Sequence, residues 1–256
     1  MKTFNHINII GLGYIGLPTA AIIAKSNIKV TGVDINQNVI DIINSGKIHI
    51  EEPFLEGVVK NVVSKGLFKA QLTPCKADAY VIAVPTPFKD NFEPDISYIN
   101  DAINNLAPFM EKDSLIIIES TSPVYTTEKT KKLLDKLRPD LKNNYYLAYC
   151  PERVLPGQVL RELVENDRVI GGINNESTLV AKSFYRKFVN GKLHKTNSKT
   201  AELCKLTENS YRDANIAFAN ELSIIADKAN INIWDLIRLS NKHPRVDILS
   251  PGPGVG

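Results

Sequence analysis

The segment Gly11-Leu12-Gly13-Tyr14-Ile15-Gly16-Leu17-Pro18 sets three glycines at G-x-G-x-x-G spacing, between a β-rich run, His6–Ile10, and an amphipathic stretch. At such a strand-to-helix junction Gly11 permits a tight turn, Gly13 lets a pyrophosphate approach the backbone, and Gly16 lets helix and strand pack closely. The helix start then offers N–H groups and the positive end of a dipole to phosphate oxygens. A second β-rich run, Lys29–Val33, ends just before Asp34, 23 residues after Gly11. A carboxylate in that place bonds the ribose hydroxyls of an adenine dinucleotide. The residues that follow, Ile35-Asn36-Gln37, bring no arginine to receive a 2′-phosphate, so the pattern points to NAD rather than NADP.

Three further loops follow β-rich runs and carry groups that could do chemistry: Pro85-Thr86-Pro87, the run from Ser120 and Thr121 to Thr126 and Thr127, and Cys150-Pro151-Glu152-Arg153-Val154. In an open parallel sheet, ligands sit beyond the carboxyl ends of the strands, which is where these loops would gather. Ser/Thr-Pro clusters also serve as ordinary turns and helix caps, and for any single loop the two readings are equally open. Three of them on one sheet edge favour a binding crevice. Farther along, Lys205, Asn209 and Arg212 fall at i, i+4 and i+7 and share one helix face. A cation, an amide and a guanidinium in line could stabilise an oxyanion or hold phosphate oxygens, although a solvated stripe has the same spacing. His243 and Arg245 flank Pro244 in a loop.

The elements that must position these residues alternate. Strands are predicted over 6–10, 29–33, 79–84, 114–119, 146–149 and about 168–170, with helices over 15–26, 54–65, 97–109, 126–137 and about 177–188. Such alternation predicts an α/β fold: a Rossmann-type, doubly wound parallel sheet with helices on both faces. From Ser198 to about Asn230 there is neither Pro nor Gly, which predicts one long helix, followed by a shorter one over 233–240. The expected division is a dinucleotide-binding domain over 1–197 and a helical domain over 198–256.

With 31 Lys+Arg against 28 Asp+Glu in 256 residues, the net charge of +3 excludes nothing local but argues against a nucleic-acid or membrane-surface partner. Cys75, Cys150 and Cys204 never stand at C-x-x-C spacing, which predicts no metal site and suits a reducing cytoplasm. The chain ends in Pro251-Gly252-Pro253-Gly254-Val255-Gly256, which reads as a cut through a loop.

Taken in order, GLGYIGLP, VPTP, STSP, YCPERVLPGQ, AELCKLTENSYRDANIAFANEL, KHPRV and PGPGVG resemble the nucleotide-sugar 6-dehydrogenases, the UDP-glucose/GDP-mannose dehydrogenase family, along essentially the whole chain. The resemblance implies NAD-dependent, two-step oxidation of the C6 hydroxyl of a UDP-sugar to a carboxylate. It implies Tyr14, Ile15, Asp34, Thr86 and Thr127 as NAD contacts, beside Gly11, Gly13 and Gly16. Arg153, Val154, Asn209, Arg212, His243, Arg245 and Gly256 would contact the substrate. Lys205 would donate and accept a proton and stabilise an oxyanion with Asn209, and Glu152 and Thr121 would position the hydrolytic water. The long helix would form a homodimer, and a second nucleotide-binding-like domain would follow it.

In that family a Gly-His-Cys follows PGPGVG and supplies the nucleophile, so that thiol is expected beyond Gly256, and the isolated chain is expected to bind NAD without completing the oxidation. The family has Gly where this chain has Tyr125, which predicts strain if the loop needs a positive φ there. UDP-glucose and UDP-N-acetylglucosamine remain alternative substrates. A β-hydroxy-acid dehydrogenase and a non-catalytic NAD-binding dimerisation module remain alternative functions.

Overall fold

The computed structural model describes residues 2–254. The chain divides into two compact units, Met1–Leu203 and Cys204–Gly256.

The first unit is built on an eight-stranded sheet: β1 (His6–Ile10), β2 (Lys29–Val33), β3 (Phe68–Gln71), β4 (Ala79–Ile82), β5 (Leu115–Ile118), β6 (Tyr146–Tyr149), β7 (Arg168–Gly172) and β8 (Leu193–Asn197). Their spatial order is β3-β2-β1-β4-β5-β6-β7-β8. The reversal of winding between β1 and β4 opens a crevice at the carboxyl ends of those two strands. Helices α1 (Gly16–Lys25), α2 (Gln37–Asn44), α3 (Leu55–Ser64), α4 (Ser97–Leu106), α5 (Thr126–Leu137), α6 (Val159–Glu165) and α7 (Asn175–Tyr185) connect the strands.

Strands β4 and β5 are buried at every position because both faces are covered. Along β5 the side chains alternate between two cores: Leu115 and Ile117 join Leu17 and Ile23 of α1 and Phe184 of α7, while Ile116 and Ile118 join Ile99 and Ile103 of α4 and Leu134 of α5. Each buried isoleucine of this kind contributes about 1.5–3 kcal/mol relative to an exposed one.

The doubly wound sheet holds, with one correction. The expectation was parallel throughout, but β7 runs antiparallel to β6, with Ala148 opposite Gly172 and Tyr149 opposite Gly171, and β8 then runs parallel to β7. The chain passes through α6 and returns in the opposite direction without crossing over the sheet. The pattern also left out β3, β8, α2 and α6, while the fourth and fifth strands are shorter than expected.

The second unit contains most of the long helix α8 (Ser198–Lys228), then α9 (Ile233–Ser240). Three asparagine side chains hold the segment after α9. Asn215 accepts from the N–H of Leu249 and donates to Asp247, Asn220 clasps both backbone groups of Gly252, and Asn241 clasps those of Ile248.

Candidate active site

The glycine loop leaves β1 at the switch point and is closed against its surroundings at two of its three glycines. The N–H of Gly11 donates to the carbonyl of Val33 at 2.8 Å. Gly11 has φ +90°, and a Cβ there would lie 2.6 Å from the Ala83 carbonyl oxygen, just past β4. A Cβ on Gly16 would lie 1.8 Å from the Gly11 carbonyl oxygen. At Gly13, by contrast, an added Cβ meets nothing within 4 Å. That is the open position a diphosphate needs for close approach to the backbone.

Helix α1 begins here with no side-chain cap and no acidic residue in its first turn. Its N–H groups and dipole are therefore left to an external anion. Asp34, at the end of β2, is held in two places: Oδ2 accepts from the Leu12 N–H and Oδ1 from the Asn36 N–H, both at 3.0 Å. Each oxygen keeps a second lone pair for a ribose hydroxyl. Tyr14 is exposed and Ile15 half-buried at the rim. These residues fit a dinucleotide: an open glycine, an uncapped helix start and a fixed carboxylate at one strand-order reversal.

The neighbouring loops are pinned differently. Ser120 Oγ donates to the Val84 carbonyl at 2.7 Å, tying the loop after β5 to that after β4, and Ser122 Oγ donates to Ser120. Thr86 and Thr121 are half-buried. Thr127 is fully buried: its N–H and hydroxyl both donate to Glu202 Oε1, at 2.7 and 2.6 Å, while Glu202 Oε2 accepts from the Tyr125 N–H at 2.7 Å. The start of α5 is thus filled by a carboxylate of the chain itself. Tyr125 has φ +77°, the left-handed conformation expected to strain a residue with a Cβ. Its ring carries the Lys199 ammonium 5.0 Å from the centroid, and Lys199 also pairs with Glu128.

Beyond β6, Glu152 is buried, accepts from the Arg153 N–H and pairs with Arg168 at 3.2 Å. Arg153 Nη1 donates to the Asp167 carbonyl, and Val154 packs beside the core. Cys150 is wholly buried, and burial pushes its thiol up to about 12. Such a thiol is no nucleophile at neutral pH.

In the second unit Lys205 and Asn209 are half-buried and Arg212 exposed on α8. His243 and Arg245 are exposed, and His243 Nδ1 accepts from the Arg245 N–H. Gly256 lies outside the described residues. Among the described residues no cluster of three or more His, Cys, Asp or Glu could hold a metal, and no helix is long and apolar enough to cross a membrane.

Sequence reasoning passed over Glu119, Arg168, Tyr185 and Glu202, all buried and all engaged at the carboxyl edge. For Glu119 and Arg168 the available signal was a charge abutting an apolar strand. Glu202 had none, because its partners lie more than 70 residues away.

Residues 5–189 match the NAD binding domain of the UDP-glucose/GDP-mannose dehydrogenase family, and residues 199–256 match its central domain. The chain belongs to that family. Its cofactor is NAD, which the glycine cradle is shaped to receive.

The UDP-N-acetyl-D-mannosamine dehydrogenase of Campylobacter jejuni is 57% identical over 265 residues, covering 100% of this chain and 65% of the relative. An NDP-N-acetyl-D-galactosaminuronic acid dehydrogenase from Ralstonia nicotianae is 52% identical, covering 99% of this chain and 62% of the relative. The solved UDP-D-ManNAc dehydrogenase of Pyrococcus horikoshii superposes with a TM-score of 0.93 at 43% identity, over 98% of this chain and 61% of that one. The chain spans less than two thirds of each relative's length.

Proposed function

We propose that this chain supplies the NAD site and part of the sugar site of an enzyme that oxidises the C6 hydroxyl of UDP-N-acetyl-D-mannosamine to the carboxylate. The observation that carries the reading is the 57% identity to a UDP-N-acetyl-D-mannosamine dehydrogenase along the whole chain, on a fold whose glycine cradle is intact. NAD, when bound, accepts hydride from the carbon being oxidised.

The chain's own residues do the rest. Gly13 and the start of α1 hold the diphosphate, Asp34 the ribose, and Tyr14, Ile15 and Thr86 line the cofactor. Thr127 supports that site through Glu202 as a buried anchor for the loop. Lys205 and Asn209 stabilise negative charge on the sugar oxygen, Lys205 moving the proton. Arg153, Val154, Arg212, His243, Arg245 and Gly256 contact the UDP-sugar, and Glu152 and Thr121 orient the water that releases the acid.

The apolar side chains exposed on α8 and α9, Leu203, Phe218, Ile225, Trp234 and Leu239, support a homodimer through the long helix. Three free thiols suit a reducing compartment such as the cytoplasm.

The galactosamine sugar is the second candidate, since a relative at 52% identity is an NDP-N-acetyl-D-galactosaminuronic acid dehydrogenase. Titration calorimetry separates the readings: NAD first, then UDP-N-acetylmannosamine, UDP-N-acetylgalactosamine, UDP-N-acetylglucosamine and UDP-glucose in saturating NAD. Saturable NAD binding followed by preference for the mannosamine sugar is expected. Absence of NAD binding, or equal response to a small hydroxy acid, would overturn the reading.

A further inference from the structure

Away from the glycine cradle, four buried side chains meet around Arg168. Tyr185 donates to Glu119 Oε1 at 2.7 Å, Arg168 Nη1 lies 3.6 Å from the same oxygen, and Arg168 Nη2 lies 3.2 Å from Glu152 Oε2. The guanidinium stacks 5.0 Å from the centre of the Tyr185 ring, and Cys150 completes the group. The side chains of Glu119, Arg168 and Glu152 are 0%, 4% and 9% exposed, so Glu152 is the member nearest the outside.

The reversed strand creates this meeting. A parallel β7 would bring its last residue to the carboxyl edge, whereas the antiparallel strand brings its first. Continuing the observed register of Ala148 opposite Gly172 and Tyr149 opposite Gly171 sets Glu152 across from Arg168. Glu119, one residue past β5, reaches the same guanidinium from the other side of β6.

Here two acids face one guanidinium, Glu119 Oε2 and Arg168 Nη1 make no hydrogen bond, and the cluster is neutral only if one carboxyl carries a proton. Burial raises the Glu119 carboxyl to about 7, opposed by Arg168 and reinforced by the negative Glu152. Tyr185 and Cys150 are pushed up chiefly by burial and stay neutral.

We propose that Arg168 is a positioning residue for Glu152, and that a protonated Glu119 balances the cluster so that Glu152 faces the crevice as a clamped, charged carboxylate. This rests on Glu152 orienting water in the reading above.

Infrared spectra of the full chain across pH 5–9, following the buried carboxyl C=O band, test it. Wild type should show one such band, lost with a midpoint near 7 and absent in Glu119→Gln. In Glu152→Gln the midpoint should fall by about one unit or more, since a neighbouring like charge has been removed. Arg168→Met should show two bands at neutral pH and Arg168→Lys should restore one. If Arg168→Met fails to fold, the two glutamine variants and the lysine variant still decide the matter.

The stabilisation owed to the Glu119 proton is complete below the ordinary glutamate range and is lost as pH rises through about 7, so wild type should lose more stability than Glu119→Gln between pH 5 and 8. A band that survives Glu119→Gln, or a midpoint indifferent to Glu152→Gln, overturns the proposal. NAD titration of the same samples keeps the failures apart: binding without coupling sinks only the cluster, and coupling without binding sinks only the cofactor reading.

Discussion

Helices α1 and α5 both start at the carboxyl edge of the sheet, and both present a ring of unsatisfied N–H groups and a positive dipole end. They are treated in opposite ways. At α1 no side chain caps the turn and Gly13 faces open space. At α5 the fully buried carboxylate of Glu202 takes two backbone N–H groups and a hydroxyl. The same electrostatic attraction thus serves a cofactor at one terminus and internal architecture at the other. A helix start becomes a ligand site only where the chain withholds its own anion.

The largest effect should come from crowding the open terminus from behind. Gly16→Ala sets a methyl against the Gly11 carbonyl, with no flexible side chain to yield, and should cost about 3 kcal/mol or more in chemical denaturation. A cost below about 1 kcal/mol would mean the loop relaxes freely and the cradle is not rigid.

Next, Glu202→Ala strips the filled terminus. It strands two buried donors and one part-buried one and should cost about 2–3 kcal/mol, measured the same way, while NAD affinity falls less than stability does.

Gly13→Ala should do the reverse of Gly16→Ala. With nothing within 4 Å, stability should change by less than about 0.5 kcal/mol. NAD affinity should nevertheless drop about tenfold or more, as the methyl takes the space of the diphosphate. Equal affinity for NAD in that variant would remove the cradle from consideration.

The smallest effect belongs to Tyr125→Gly, which relieves a left-handed residue and should add about 1 kcal/mol, reduced by loss of the Lys199 contact.

The α1 terminus was legible because every part of it is local: three glycines, one strand and an acid at fixed spacing. The central strands were legible because runs such as Leu115–Ile118 are apolar on both faces. The edge strands were not. Phe68–Gln71 buries only Phe68 and Ala70, and Leu193–Asn197 shows mostly polar side chains to solvent, so neither carries a strong β pattern. The direction of β7 was hidden because periodicity reports faces and is blind to polarity. Tyr125 was legible as a conflict, since a β-carbon in a glycine position announces itself. Thr127 was legible only as a polar residue in the right loop; that its hydroxyl turns inward depends on Glu202, far along the chain.

The reversed strand also has a mechanical side. β7 meets β6 over two residue pairs, whereas the neighbouring parallel seams run for four or five. Helix α7 bridges that weak seam, with Ser177 Oγ accepting from the Leu147 N–H and Phe184 and Tyr185 packed beneath. The ribbon of β7 and β8 is therefore fastened to the sheet more by side chains than by its amide ladder. Amide exchange should find its lowest protection among the sheet seams there, and a small slip along it would carry Arg168 past Glu152 while few backbone bonds break.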